Sequence, residues 1–123
     1  NFAHLATIMK DGSPQAAPVW VDLEGDRVLV ATGEGSLKAR NTKRDGRVAL
    51  SVVAYDNPYV EAQLRGRVAE RWKDSDFKIM DRISRKYTGK EFPMRDNPDQ
   101  RVVLVIEIER ARFTRLPFTH TPA

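Results

Sequence analysis

Val102-Val103-Leu104-Val105-Ile106, followed by Glu107-Ile108, is a nearly continuous apolar run close to the end of a 123-residue chain. Such a run reads as a β-strand buried on both faces. The remainder of the chain must therefore cover that strand on two sides. Its own elements are short. His4 to Met9 reads as a strand, Lys10-Asp11-Gly12-Ser13 as a turn, and Gln15 to Asp22 as the returning strand. Pro18 inside that strand predicts an edge position, or a spot where the backbone N–H faces something other than a neighbouring strand. Glu24-Gly25-Asp26 turns the chain again into a strand from Arg27 to Ala31, so the opening third reads as an antiparallel meander.

Gly33-Glu34-Gly35 breaks the strand pattern. Ser36 is a good N-cap for a short helix over Leu37 to Asp45, with Gly46 just past its end. Val48 to Val53 is a β-branched strand, Asp56-Asn57-Pro58 a turn, and Tyr59 to Ala69 a longer strand in which Gly66 marks a bulge. Asp74 or Ser75 caps a second helix. Its apolar residues Phe77, Met80, Ile83 and Tyr87 keep helical spacing as core packing, and Gly89 ends it. Phe92 to Gln100, with Pro93 and Asn97-Pro98, is a loop, Arg110 to Arg115 continues the last strand past a bend, and the tail from Pro117 is polar. The expected architecture is mainly β: a split or closed antiparallel barrel of about six strands with two short helices. Closure removes exposed edges, and no alternation of strand and helix supports a doubly wound parallel sheet.

The length suits one domain over residues 1–123, and the 41% hydrophobic share is enough for a packed core. The chain opens at Asn1 inside a strand, so further residues are expected before it. With no apolar run near ~20 residues and no signal-peptide pattern, the expected compartment is the cytoplasm, with no membrane partner. There is no cysteine, which excludes disulfides, thiolate catalysis and cysteine-based zinc sites. His4 and His120 are far apart and lack clustered carboxylates, so no metal site is expected. Gly33-Glu34-Gly35 fails the dinucleotide fingerprint because Lys38 stands where a third glycine is needed. Walker A and nucleophile-elbow patterns are absent. Chemistry, if any, falls to a bound organic cofactor.

Gly33 to Arg47 is the segment with most to say about a ligand. Two glycines allow close backbone approach, Ser36 opens a helix, and Lys38, Arg40, Lys43, Arg44 and Arg47 outnumber the acids Glu34 and Asp45. An anion site at a capped helix start and a solvated amphipathic helix both fit that composition. The net charge of +4 favours an anionic partner of either kind.

Leu5-Ala6-Thr7-Ile8, Asp11-Gly12-Ser13-Pro14-Gln15, Val28-Leu29-Val30-Ala31-Thr32, Lys38-Ala39-Arg40-Asn41 and Arg44-Asp45-Gly46-Arg47-Val48-Ala49 together resemble the pyridoxamine 5′-phosphate oxidase-like split-barrel superfamily. The likeness is narrower towards its actinobacterial branch, which uses the deazaflavin coenzyme F-420. It implies a homodimer with two cofactor sites at the subunit interface. Gln15, Pro18, Val19 and Trp20 would lie along the flavin-like ring. Thr32, Ser36, Lys38 and Asn41, with Arg40 and Arg44 nearby, would hold the phosphate and tail, and Tyr59 of the second subunit would close the site. Some relatives carry Arg at the position of Ser36, so tail binding here leans on Lys38, Arg40 and Arg44.

FMN-using members place basic residues on the strand matching Gln15 to Asp22, which has none here; the positive charge sits on the following helix, which favours the longer anionic tail of F-420. The implied activity is hydride transfer from the reduced deazaflavin to an electron-poor small molecule such as an enone or quinone. An FMN-dependent oxidase or reductase and a non-catalytic F-420 carrier are the alternatives. Nucleic acid ranks last as a partner: aromatics are only 8% of residues, and the basic residues concentrate on a helix.

Overall fold

A computed structural model describes residues 2–121 of the chain. Asn1 and the last two residues of the expected polar tail lie outside the described residues. The strands are β1 (Ala3–Ile8), β2 (Pro14–Val19), β3 (Asp22–Glu24), β4 (Arg27–Gly33), β5 (Arg47–Ala54), β6 (Asn57–Lys73) and β7 (Arg101–Arg115). The helices are α1 (Leu37–Arg44) and α2 (Lys78–Thr88). One sheet holds all seven strands in the order β2-β1-β5-β6-β7-β4-β3, with every neighbouring pair antiparallel.

That order closes the barrel. β2 and β3 occupy opposite ends of the sheet, yet only Trp20 and Val21 separate them in sequence. From Val19 to Asp22 the chain spans at most ~11 Å. The sheet must curl until its two edges are neighbours, without hydrogen bonds between them. The result is a split antiparallel barrel, as the sequence predicts. Among the described residues seven strands are present rather than six, and the first three do not form a meander. Gln15 to Asp22 is not one strand: it breaks at Trp20-Val21, so β2 pairs with β1 and β3 pairs with β4. Pro18 does lie on an edge strand.

The buried run works as expected, and its two faces have different cover. Leu104 and Ile106 join Leu5, Val30 and Leu50 inside the barrel. Val103 and Val105 turn outward with Leu29, against Trp72 and Ile79. Val103 to Ile106 have no exposed surface. At ~25 cal/mol per Å² of apolar area, these two layers supply the main force that holds the curled sheet.

β6 is long enough to pair with both β5 and β7 because it bends. Its register shifts between Arg65 and Gly66 and again between Val68 and Glu70. A Cβ added at Gly66 would lie 1.9 Å from the Glu107 carbonyl oxygen, so the crossing strand requires glycine at the first shift. Two turns differ from the sequence expectation. The β5–β6 turn is Tyr55-Asp56, and Asn57-Pro58 already belongs to β6. The loop after α2 contains a short 3-10 turn over Pro98–Gln100.

α2 starts in an unusual way. Phe77 is not within the helix but is its N-cap, in the left-handed region at φ 61°. The cap acceptor is Asp74, whose two carboxylate oxygens take the amides of Ile79 and Met80, both at 2.9 Å. Gly89 closes the helix at φ 75°. Among the described residues, no helix is long and apolar enough to cross a membrane.

Gly66→Ala should destabilise the protein by roughly 3 kcal/mol in urea unfolding, because its methyl group meets backbone that cannot move without breaking the β6–β7 ladder. Gly35→Ala, with nothing within 4 Å of the added carbon, should stay within about 0.5 kcal/mol of the parent.

Candidate functional site

A cavity of about 520 Å³ opens at the split. Its size suits a small organic ligand. One wall is the crossover, Pro18, Val19 and Trp20; the facing wall is the end of β4, Val30, Ala31 and Thr32. Met80 and Ile83 of α2 close the back, Phe92 and Met94 the roof, and Phe2 stands at the mouth. Two cations complete the lining, Lys38 and Arg101, and among the described residues no carboxylate lines it. A larger trough of about 740 Å³ crosses the outer face of β1, β2, β5, β6 and β7, floored by Ala6, Ala16, Ala49 and Ser51. It lies on the face of the sheet, whereas the smaller cavity gathers apolar walls around convergent cations.

The walls are fixed by contacts that cross the split. Trp20 stacks on Tyr87 with ring centres 5.1 Å apart and planes at 6°. The Tyr87 hydroxyl accepts from the Val21 amide at 3.2 Å, so α2 holds the crossover by both its side chain and its backbone. On the other side, Thr32 Oγ1 donates to Ser36 Oγ at 2.9 Å, and Ser36 Oγ accepts from the Ala39 amide at 3.2 Å. Ser36 is thus the N-cap of α1, as its sequence context predicts. Having accepted twice, its own hydroxyl proton must be donated elsewhere.

Lys38 sits in the first turn of α1 and is half-buried. Burial first, and then the positive charge of Arg101, hold its pKa below the usual lysine range. Arg101, at the head of β7, is likewise pressed down by burial, with Asp74 acting in the opposite sense.

The roof is clasped to α2 by one carboxylate. Asp81 accepts from Arg95 Nη1 at 2.8 Å and Nη2 at 3.2 Å, and from the Phe92 amide at 3.0 Å. The Arg95 guanidinium also lies 4.3 Å above the Phe77 ring. The Arg95 hydrogen bond, opposed by burial and helped by the Phe92 amide, holds the Asp81 carboxyl below the usual carboxylate range.

Of the residues singled out in the sequence, Pro18, Val19, Trp20, Thr32 and Lys38 come together around this cavity, with Ser36 bonded to Thr32 behind them. The others lie elsewhere in the chain. Gln15 pairs with Thr7 further up β2. Arg40 is exposed on α1. Asn41 is buried against β1, donating to Thr7 Oγ1 at 3.0 Å and accepting from Arg44 at 2.9 Å. Arg44 also caps the Ile8 carbonyl at 3.1 Å. These two side chains secure α1 to β1. Tyr59 is the third residue of β6 and packs edge-on against Phe118 at 5.3 Å. The sequence predicts Met80 and Ile83 only as core, but they are both core and cavity wall, because the α2 stripe spans the split. Arg101, Phe92 and Met94 join the lining with no prediction behind them. The signal for Arg101 is its place as the cation heading the most apolar run of the chain.

The pyridoxamine 5′-phosphate oxidase family profile matches residues 1–115. Among solved structures, an F-420 reductase is similar at 28% identity and a TM-score of 0.84, over 90% of this chain and 88% of that one. A conserved hypothetical protein from Mycobacterium tuberculosis is similar at 25% identity and a TM-score of 0.77, over 100% of this chain and 85% of that one. A heme binding protein from Mycobacterium smegmatis, at 24% identity and a TM-score of 0.67, shares the fold over 93% of this chain and 48% of its own. No curated protein gives a significant match.

Asp81 has a depressed pKa in the folded state, so its contribution to stability is complete above the unfolded value of about 3.9 and is lost as pH falls through the lower folded value. Asp81→Asn should therefore flatten the loss of stability below about pH 4, measured by urea unfolding across pH, and lower stability above it.

Proposed function

Because the chain belongs to the pyridoxamine 5′-phosphate oxidase family, we propose that it is an F-420-dependent reductase that binds the deazaflavin in the cavity at the split. The observation that carries this reading is the cavity's division of labour. A flat apolar wall formed by Pro18, Val19 and Trp20 stands beside the Thr32–Ser36–Lys38 cluster at the start of α1. The first wall suits a planar ring and the second an anionic tail. Likeness to an F-420 reductase over 90% of the chain supports the choice of cofactor.

The donor set fits that group. Ser36 has a proton to give, Lys38 is a half-buried ammonium, and the first-turn amides of α1 add positive potential. β2, Pro14–Val19, carries no basic residue, which favours F-420 over FMN as the cofactor. Bound there, the reduced deazaflavin supplies a hydride to an electron-poor acceptor such as an enone or quinone. The chain's own residues then position and dehydrate. Trp20, held flat by Tyr87, fixes one plane of the ring site, and Met80, Ile83 and Phe92 exclude water from it. Positioning by rigid walls accounts for the protein's share of the work without a general acid.

In this reading two copies of the chain form the functional unit. Phe113 is 78% exposed and Tyr55 82% exposed, which supports a second copy covering this end of the sheet. Tyr59, which lies outside its own chain's cavity, then belongs to the neighbour's site.

Side-by-side titration of the protein with F-420 and with FMN tests the reading. The chain has two tryptophans, so a Trp72→Phe background leaves Trp20 as the reporter. Micromolar or tighter F-420 binding with quenched Trp20 emission is the expected result, and preference for FMN would move the protein to the flavin branch. Lys38→Ala should weaken F-420 binding by about 1–3 kcal/mol, as expected for loss of a charge-assisted bond; unchanged affinity would remove Lys38 from the site. Tight binding without turnover across enones and quinones would instead identify a carrier.

A further inference from the structure

Among the described residues, Arg27, Arg47, Arg71, Arg82, Arg85 and Arg95 each reach a carboxylate within 4.0 Å. Arg101 does not, although it is more enclosed than most of them. Its Nε is buried and donates to nothing. Its Nη2 meets only the Met80 thioether sulfur, a weak acceptor, at 3.3 Å. The guanidinium lies beside the rings of Phe92 and Phe77, 5.2 Å and 5.9 Å from their centres. Asp74 is near enough to act on its charge, but both Asp74 oxygens are committed to the α2 amides. The remaining nitrogen, Nη1, lies beside Gly33, 3.7 Å from where a Cβ would stand, at the turn that leads into α1.

A cation drawn half out of water without a paired carboxylate costs the fold stability, and an apolar side chain of similar size would serve the apo-protein better. Here two such cations line one cavity and repel each other. An anion placed between them relieves both costs. We infer that Arg101 is a second oxyanion-binding group of this cavity, acting with Lys38 on a phosphate or carboxylate of the ligand. The inference rests on the cofactor reading above and extends it to a residue outside the α1 segment. The ligand then carries about two negative charges at this end, and Arg101's planar fork gives it a bidentate contact that Lys38 cannot make.

Arg101→Met separates this role from a structural one. It keeps side-chain length and apolar contact while removing charge and donors. In the ligand-free protein the expected change is a rise in Tm of roughly 3 °C. Affinity for inorganic pyrophosphate, followed by phosphorus NMR, and for F-420 should fall roughly 10- to 100-fold. Arg101→Lys should recover part of that loss. A lowered Tm with both affinities unchanged would overturn the inference and make Arg101 a packing residue. F-420 binding that is normal in both variants would also overturn it, while leaving the cofactor reading intact. Arg101-dependent pyrophosphate binding without binding of F-420 or FMN would uphold the anion site and remove the cofactor reading. The deazaflavin chromophore without its phosphate tail distinguishes the anion's source. Its binding should not respond to Arg101→Met if the group belongs to the tail, and a response equal to that of F-420 would place Arg101 on the ring and overturn the inference.

Discussion

Two residues, Trp20 and Val21, join strands at opposite edges of a seven-stranded sheet. That short tether governs the rest of the architecture. It forces the sheet to curl, and it leaves the meeting edges unpaired. It also places a large aromatic side chain at the gap. The gap cannot fill itself, because β2 and β3 exchange no hydrogen bonds across it, so α2 fills it instead. Tyr87 binds the tether's backbone and stacks on its indole, while Met80 and Ile83 pack below. The cavity is the part of the gap that α2 leaves open.

Charge is distributed in keeping with that geometry. Arg47, Arg82, Arg85 and Arg95 are paired with carboxylates at the surface, where each pair contributes little to stability. The two cations inside the cavity are left without carboxylates. Their cost is tolerable because the surrounding contacts are strongly determined. Asp74 fixes the start of α2, and Asp81 fixes the roof above it. Phe77 lies beside both the Arg95 and Arg101 guanidiniums in a backbone conformation that an ordinary L-residue rarely adopts. A helix start with less support would relax and let Arg101 turn to water.

The split barrel could be read from the sequence because its strongest signals are local: the buried run at Val102, the Asp-Gly turn, the Ser36 cap and Gly66. The tether could not. Gln15 to Asp22 reads as one strand, and nothing within it records that its two ends pair with partners on opposite edges. Half of the candidate site was visible for the same reason. Lys38 and Thr32 sit in a recognisable segment, whereas Arg101, Phe92 and Met94 approach only after the chain has crossed the whole sheet. Asn41 and Arg44 belong to that same segment, but the structure engages them in holding α1 to β1. Motif position alone does not separate a residue that faces a cavity from one facing the opposite side of its helix.

The edge strand β2 carries one further consequence. Pro14 and Pro18 lie four residues apart and share a register parity with Ala16. Proline has no amide to give, so these positions belong on the side facing away from β1. Ala16 is then the lone outward amide donor of that edge. The opposite edge, β3, is three residues long and carries Asp22 and Glu24. Neither rim offers a ladder on which another chain could grow. Strand-by-strand growth of one copy on the β2 or β3 rim of another is thereby disfavoured.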